Sequence, residues 1–475
     1  MTNLPQPEAV FRYFAELAAI PHGSGHTEGI RQWALDTAKR LKVEAYADAA
    51  GNVNIRKPAS NGYEDHPRVI LQGHMDMVCA KLPDCPKNME TEGLDLIWGD
   101  EFLTADGTTL GGDDGIAIAY AFAILESDSI LHPPLTAVFT VDEETGMDGA
   151  TALSPEALDG TYLINIDSEE EGIFTVGCAG GVRVHMQYPV RTDTASGTAL
   201  RIEISGLTGG HSGAEIHKPL LNANVVMTKL LSAIQVPVRL AAWEGGVRDN
   251  VIPTECSVTL FCNEQDAAAV QNAVLNQQKQ IADEYPHETK FCVTCEIEDA
   301  YIQTALTAES TLALLHEIQL LPNGVQKMND TLVMPETSLN LGIFSLKENA
   351  MHIDALLRSG INAEKQALAD KLHSLVKAAG GTSSESGSYP AWEYIPDTDL
   401  EHTAAAVFEK QYGKPPVIQT IHAGLECGIL SAKAPQLQCI SIGPNLLDIH
   451  TPRERLSIAS AVRTWQFLLA LLKSL

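Results

Sequence analysis

Basic side chains are scarce in this chain. Lysine and arginine total 32 against 61 aspartate and glutamate residues, a net charge of −29 over 475 residues. So acidic a surface repels nucleic acid and anionic membrane, which argues against both as partners. No apolar run is long enough to span a bilayer, and the opening Met1-Thr-Asn-Leu-Pro lacks the basic-then-apolar pattern of a secretory leader. The expected compartment is therefore the cytoplasm. The nine cysteines are odd in number and scattered, which speaks against a disulfide framework. Cys292-Val-Thr-Cys295 has the spacing of a zinc or redox pair, but no second pair lies near it and its surroundings read as a strand.

What is present fits a soluble globular protein. Hydrophobic residues make up 45% and charged residues 20%, and the length calls for two or more domains. Residues 7–19 and 26–41 have helical periodicity. Val69-Ile-Leu-Gln-Gly73, Leu135–Val141, Tyr162–Ile166 and Gln436–Ile442 are short apolar runs of the buried-strand type, and a helix starts at Gly111-Gly-Asp-Asp-Gly115. Strands alternating with helices predict an α/β fold, a largely parallel sheet covered by helices on both faces. From about residue 185 the pattern changes to alternation of apolar and polar residues, as in Ala199-Leu-Arg-Ile-Glu-Ile-Ser205, with helices at 219–234, 264–283 and 361–379. This reads as an inserted α+β domain. The expected division is 1–186 for the first part of a catalytic domain, 187–396 for the insertion, and 397–475 for the remainder. The polar run Gly380-Gly-Thr-Ser-Ser-Glu-Ser-Gly-Ser388 is expected to be a loop or the return to the first domain.

The chemistry lies at the predicted strand ends. His74 and Asp76 follow the first buried strand, Glu143-Glu144 the second and Asp167 the third; Asp113 leads a helix and His450 sits in a C-terminal loop. Each alone has an ordinary explanation: a buried histidine, a helix cap at Asp113, an acidic turn at 142–148, a loop histidine. Imidazoles and carboxylates gathered in this order are what a hydrolytic two-metal site requires. Asp76 is placed to hold the second N–H of His74. Adjacent buried carboxylates need cations or a proton, and a division of labour meets this need: Glu144 binds metal while Glu143 activates water. The donor mix suits zinc, with manganese or cobalt as substitutes.

Gly73-His-Met-Asp-Met-Val78, Leu110-Gly-Gly-Asp-Asp-Gly115, Asp142-Glu-Glu-Thr-Gly146, Asn165-Ile-Asp167 and Gly209-Gly-His-Ser-Gly213, taken as an ordered set, resemble the di-zinc family of aminoacylases, desuccinylases and carnosinases, and within it the aminoacyl-histidine dipeptidase branch. The resemblance implies two zinc ions per subunit. Asp113 would bridge them, His74 and Asp167 would hold one, Glu144 and His450 the other. Glu143 would be the general base acting on a shared water, and Asp76 would orient His74. It also implies that residues 187–396 form a lid through which the chain dimerises. In that lid His211 would be an oxyanion donor, acting in its own or a neighbouring subunit, and Asn250 and Arg358 would meet the substrate carboxylate or carbonyl. Gly424 would lie in a substrate loop. The implied reaction is hydrolysis of small dipeptides, Xaa-His among them. An N-acyl-amino-acid deacylase on the same metals is the alternative, and a non-catalytic peptide-binding protein a remote one. Parallel assays of carnosine-like dipeptides and N-acetyl amino acids separate the first two.

Overall fold

The computed structural model describes residues 4–298, 304–330, 332–347 and 349–475. The chain forms two compact units, one of residues 1–177, 394–420 and 425–475, the other of 178–393 and 421–424.

The first unit is built on an eight-stranded sheet. Its order is Glu44–Ala47, Val53–Lys57, Leu135–Thr140, Val69–His74, Tyr162–Asn165, Gln438–Ser441, Ile173–Cys178 and Val417–Ile421. The strands from Leu135–Thr140 to Gln438–Ser441 run parallel, and antiparallel partners flank them. The predicted parallel sheet is thus the centre of a mixed one. Val69, Leu71, Ala137, Phe139 and Ile164 enter a core shared with helices Glu8–Ala18, Gly112–Glu126, Asp399–Tyr412 and Ile458–Ser474. Ile70, Val138 and Leu163 are equally buried on the opposite side, as expected of a sheet covered on both faces.

Strand register places the site. His74 pairs with Thr140, and Gln72 with Asn165, so three parallel strands end side by side. The segments leaving these ends carry Asp76, Glu143-Glu144 and Asp167 into one region, the carboxyl edge where open α/β sheets place their ligands. Close packing beneath depends on Gly73. A Cβ there would come within 2.4 Å of the Asp114 carboxylate and 2.6 Å of the Ala117 Cβ, so a side chain would push the Gly112–Glu126 helix off the His74 strand.

The second unit holds a nine-stranded sheet whose paired strands are antiparallel. Helices Ala223–Ser232, Ala267–Glu284, Ala308–Leu320 and Asn362–Ala378 supply Met227, Val274, Leu314 and Leu372 to its core. The Thr198–Ser205 strand alternates buried and exposed as its sequence foretells. Cys292 and Cys295 are free thiols in the edge strand Cys292–Ile297. One expectation fails here. The serine-rich run after Gly380 is not a loop: Thr382–Tyr389 is a strand, antiparallel to Gly180–Pro189 at the other edge of the sheet. Its register comes from backbone hydrogen bonds, and a largely solvated edge strand needs no apolar alternation to advertise it.

Candidate metal centre

His74 ends its strand almost fully buried. Its Nδ1 lies 2.9 Å from the carbonyl oxygen of Asp76, which only accepts, so Nδ1 carries a proton, and Nε2 faces the carboxylates. That Nε2 is 3.0 Å from Asp113 Oδ1 and 3.6 Å from Asp167 Oδ1. The other Asp113 oxygen, Oδ2, is 3.2 Å from His450 Nε2, which is 2.8 Å from Glu144 Oε1. Asp113 therefore stands between two imidazoles, one oxygen toward each. Donor atoms of His74, Asp113 and Glu144 lie within 4.8 Å of one another, as do those of His74, Asp114 and Asp167. All these residues belong to the first unit.

The Asp76 carboxylate does more than face His74, from whose Nδ1 its Oδ1 is 3.5 Å. It accepts from the Glu143 N–H at 3.0 Å, the Glu144 N–H at 3.3 Å and the Ser24 hydroxyl at 2.8 Å. It thus caps the short helix Glu143–Gly146 and ties the two glutamates to the His74 strand.

Electrostatically the cluster is overloaded with carboxylates. Burial raises Glu143 well above the usual carboxyl range against the pull of His74, and Asp167, Glu426 and Glu144 push the same way. Burial, opposed by His74 and reinforced by Asp113 and Glu144, lifts Asp167 to about 7. Burial works against charge on Asp113 too, but His450 and His74 outweigh it and hold that carboxyl below its ordinary value. Asp113 and Glu144 raise His450 to about 10. Such a set is stable when cations neutralise it. The geometry fits divalent metal: Glu144 Oε1 is buried without an aligned hydrogen bond, although His450 Nε2 is only 2.8 Å away. His74 is also held through its far nitrogen, as a ligating imidazole should be.

Two buried glutamates were not singled out by sequence reasoning. Glu454, 3% exposed, accepts from four consecutive backbone N–H groups: Leu110 at 2.8 Å, Gly111 at 3.1 Å, Gly112 at 2.8 Å and Asp113 at 3.3 Å. It caps the turn that presents Asp113 and joins it to the His450 loop. Gly111 has φ of 66°, the left-handed region in which a side chain would be strained. Glu426, fully buried, accepts from Gln72 Nε2 at 2.6 Å and Thr140 Oγ1 at 2.7 Å, and burial raises it to about 7. Asn165 completes this network through Gln72 at 2.6 Å. The capping that Asp113 might have provided for its own helix is supplied by Glu454 instead, and Asp113 itself departs from helical geometry. Asp114 is buried and accepts from the His74 N–H at 3.2 Å.

The remaining candidates lie in the second unit. His211 sits in a two-residue strand paired with Val251–Ile252, directly after Asn250, whose carbonyl accepts from Ser212 N–H at 2.9 Å. His211 Nδ1 accepts from the Gly213 and Ala214 N–H groups at 3.3 and 3.1 Å, and burial with nearby Arg358 lowers its pKa. The ring is then neutral with its proton on Nε2. Arg358 Nη2 is 3.5 Å from that Nε2, so two donors stand side by side with no acceptor between them. Arg358 is buried, its Nη1 donates to Tyr389 Oη at 2.9 Å, and its Nε has no partner. Gly424 is half-buried, two residues beyond the buried His422, whose Nε2 is 2.7 Å from Ser338 Oγ.

A parallel-centred sheet with imidazoles and carboxylates packed at its carboxyl edge is the arrangement of a metal-dependent hydrolase. The chain belongs to peptidase family M20/M25/M40, whose model matches residues 70–474. It is 34% identical to the cytosol non-specific dipeptidase of Escherichia coli K12, over 100% of this chain and 99% of that one. It is similar in structure to the aminoacylhistidine dipeptidase of Vibrio alginolyticus, with a TM-score of 0.92, 32% identity, and coverage of 99% and 97% of the two chains. Aminopeptidase PepT of Bacillus cereus, 16% identical, shares the fold at a TM-score of 0.56, with 98% of each chain covered.

Proposed function

We propose that this chain is a cytoplasmic dipeptidase that cleaves Xaa-Xaa dipeptides, Xaa-His included, at a centre of two zinc ions. The observation that carries this reading is Asp113, one carboxylate oxygen toward His74 and the other toward His450, with Asp167 and Glu144 on either side. His74 and Asp167 would hold one ion, Glu144 and His450 the other, and Asp113 both; bound there, the pair supplies an acidified water and a polarised scissile carbonyl. Manganese or cobalt would serve the same donors.

The protein's own groups carry the protons. Glu143, held by Asp76 through its backbone N–H, takes the proton of the attacking water and returns it to the leaving amine. His211, neutral with its proton on Nε2, donates to the oxyanion, and Arg358 with Asn250 receives the substrate carboxylate. Gly424 belongs to the loop that borders the substrate. Residues 187–396 act as the lid, and the chain works as a homodimer through it. Assay of purified protein on carnosine-like dipeptides, with and without chelator, tests the function; turnover unaffected by metal removal would refute it.

Two substitutions separate the roles. His211→Ala is expected to lower kcat about 100-fold with metal content unchanged, the cost of one oxyanion donor. An unaltered kcat would remove His211 from the mechanism. Glu454→Ala is expected to weaken metal binding by about 10- to 100-fold in a chelator-competition titration, as loss of a group that orients ligands does. Unchanged metal affinity in the folded variant would reduce Glu454 to a packing role.

A further inference from the structure

A cavity of about 440 Å³ opens beside Glu144, and the mechanism uses none of the rest of its wall. All its lining residues lie in the first unit. Met77, Val78, Cys79 and Met89 form an apolar side, and Glu90 places an exposed carboxylate at it; neither lysine nor arginine is among the described lining residues. Met77 is 3% and Met89 9% exposed, so both are anchored. The floor is tight as well: Gly23 bridges to Met77, and a Cβ at Gly23 would come within 2.6 Å of Cys79 Sγ.

We propose that this cavity receives the side chain of the substrate's amino-terminal residue, and that it favours apolar and basic side chains over acidic ones. The inference rests on the dipeptidase reading. Glu144 belongs to the candidate centre, so a scissile bond held there puts one flanking residue into this space. The volume lies within the range of small-ligand pockets and leaves room for side chains of different sizes. Thioethers are unbranched and polarizable, and they adapt to different apolar shapes. A wall with Glu90 and with His26 in place of any lysine or arginine attracts the amine end of a dipeptide and disfavours its carboxylate end; it disfavours an acidic side chain for the same reason.

The test compares kcat/KM for Gly-Ala, Leu-Ala, Lys-Ala, Glu-Ala and Ala-Leu in the metal-loaded wild type, Cys79→Trp and Glu90→Lys. Cys79→Trp fills the cavity from an exposed position and should lower Leu-Ala about tenfold, leaving Gly-Ala and Ala-Leu within roughly twofold. Glu90→Lys, also at an exposed position, should raise Glu-Ala relative to Leu-Ala about fivefold at low salt, and less at high salt. The second variant decides the matter if the first does not fold. Losses equal across all five substrates, a size effect confined to Ala-Leu, or a Glu-Ala ratio indifferent to Glu90→Lys would overturn the subsite. A wild type that cleaves no dipeptide would instead overturn the dipeptidase reading itself, and the subsite with it.

Discussion

Glu143→Ala is expected to lower kcat by roughly 10⁴-fold, the upper end of what one positioned acid–base group contributes, because the same carboxyl handles both proton transfers. The protein should keep its metal and its fold. Glu143 is not among the side chains facing Asp113, and its backbone N–H bond to Asp76 survives the substitution. Glu143→Gln should lose nearly as much activity, since an amide of the same shape cannot accept the proton. Metal analysis beside steady-state kinetics checks both variants. Residual turnover above about a tenth of wild type, far more than a missing general base allows, would show that another group takes the proton.

Asp113→Asn should act differently and lose metal itself. Asp113 has an oxygen toward each of two imidazoles, so its replacement removes an anionic donor shared by both proposed ion sites. Activity should fall to background, and added zinc should not restore it as it would restore a chelated wild type. Equilibrium dialysis followed by elemental analysis is the measurement. A variant that still retains two ions per chain would mean that Asp113 bridges nothing.

These expectations rest on residues of unequal visibility in the sequence. His74, Glu143-Glu144 and Asp167 could be found because each follows a short apolar run, and parallel strands carry such positions to one edge. The central strands were legible for the same reason. Glu454 and Glu426 were not, because nothing local distinguishes a buried glutamate from a solvated one. Glu454 lies 341 residues from Asp113 and serves four backbone N–H groups that leave no mark on residue type. The Asp76 side chain was expected to orient His74. In the structure the Asp76 carbonyl accepts from His74, and the carboxylate binds the backbone of Glu143 and Glu144, a link that requires the fold to bring two strand ends together. The Thr382–Tyr389 strand was hidden by its own hydroxyl-rich composition, since edge pairing draws on backbone groups alone.

The central claim is that five side chains from separate segments hold two cations between them. Anomalous diffraction at the zinc edge from crystals of the metal-loaded protein tests it most directly. Two peaks are expected, both touching Asp113, one also reaching His74 and Asp167 and the other Glu144 and His450. A single peak, or an active zinc-loaded protein in which Asp167 or His450 touches no ion, would contradict the account.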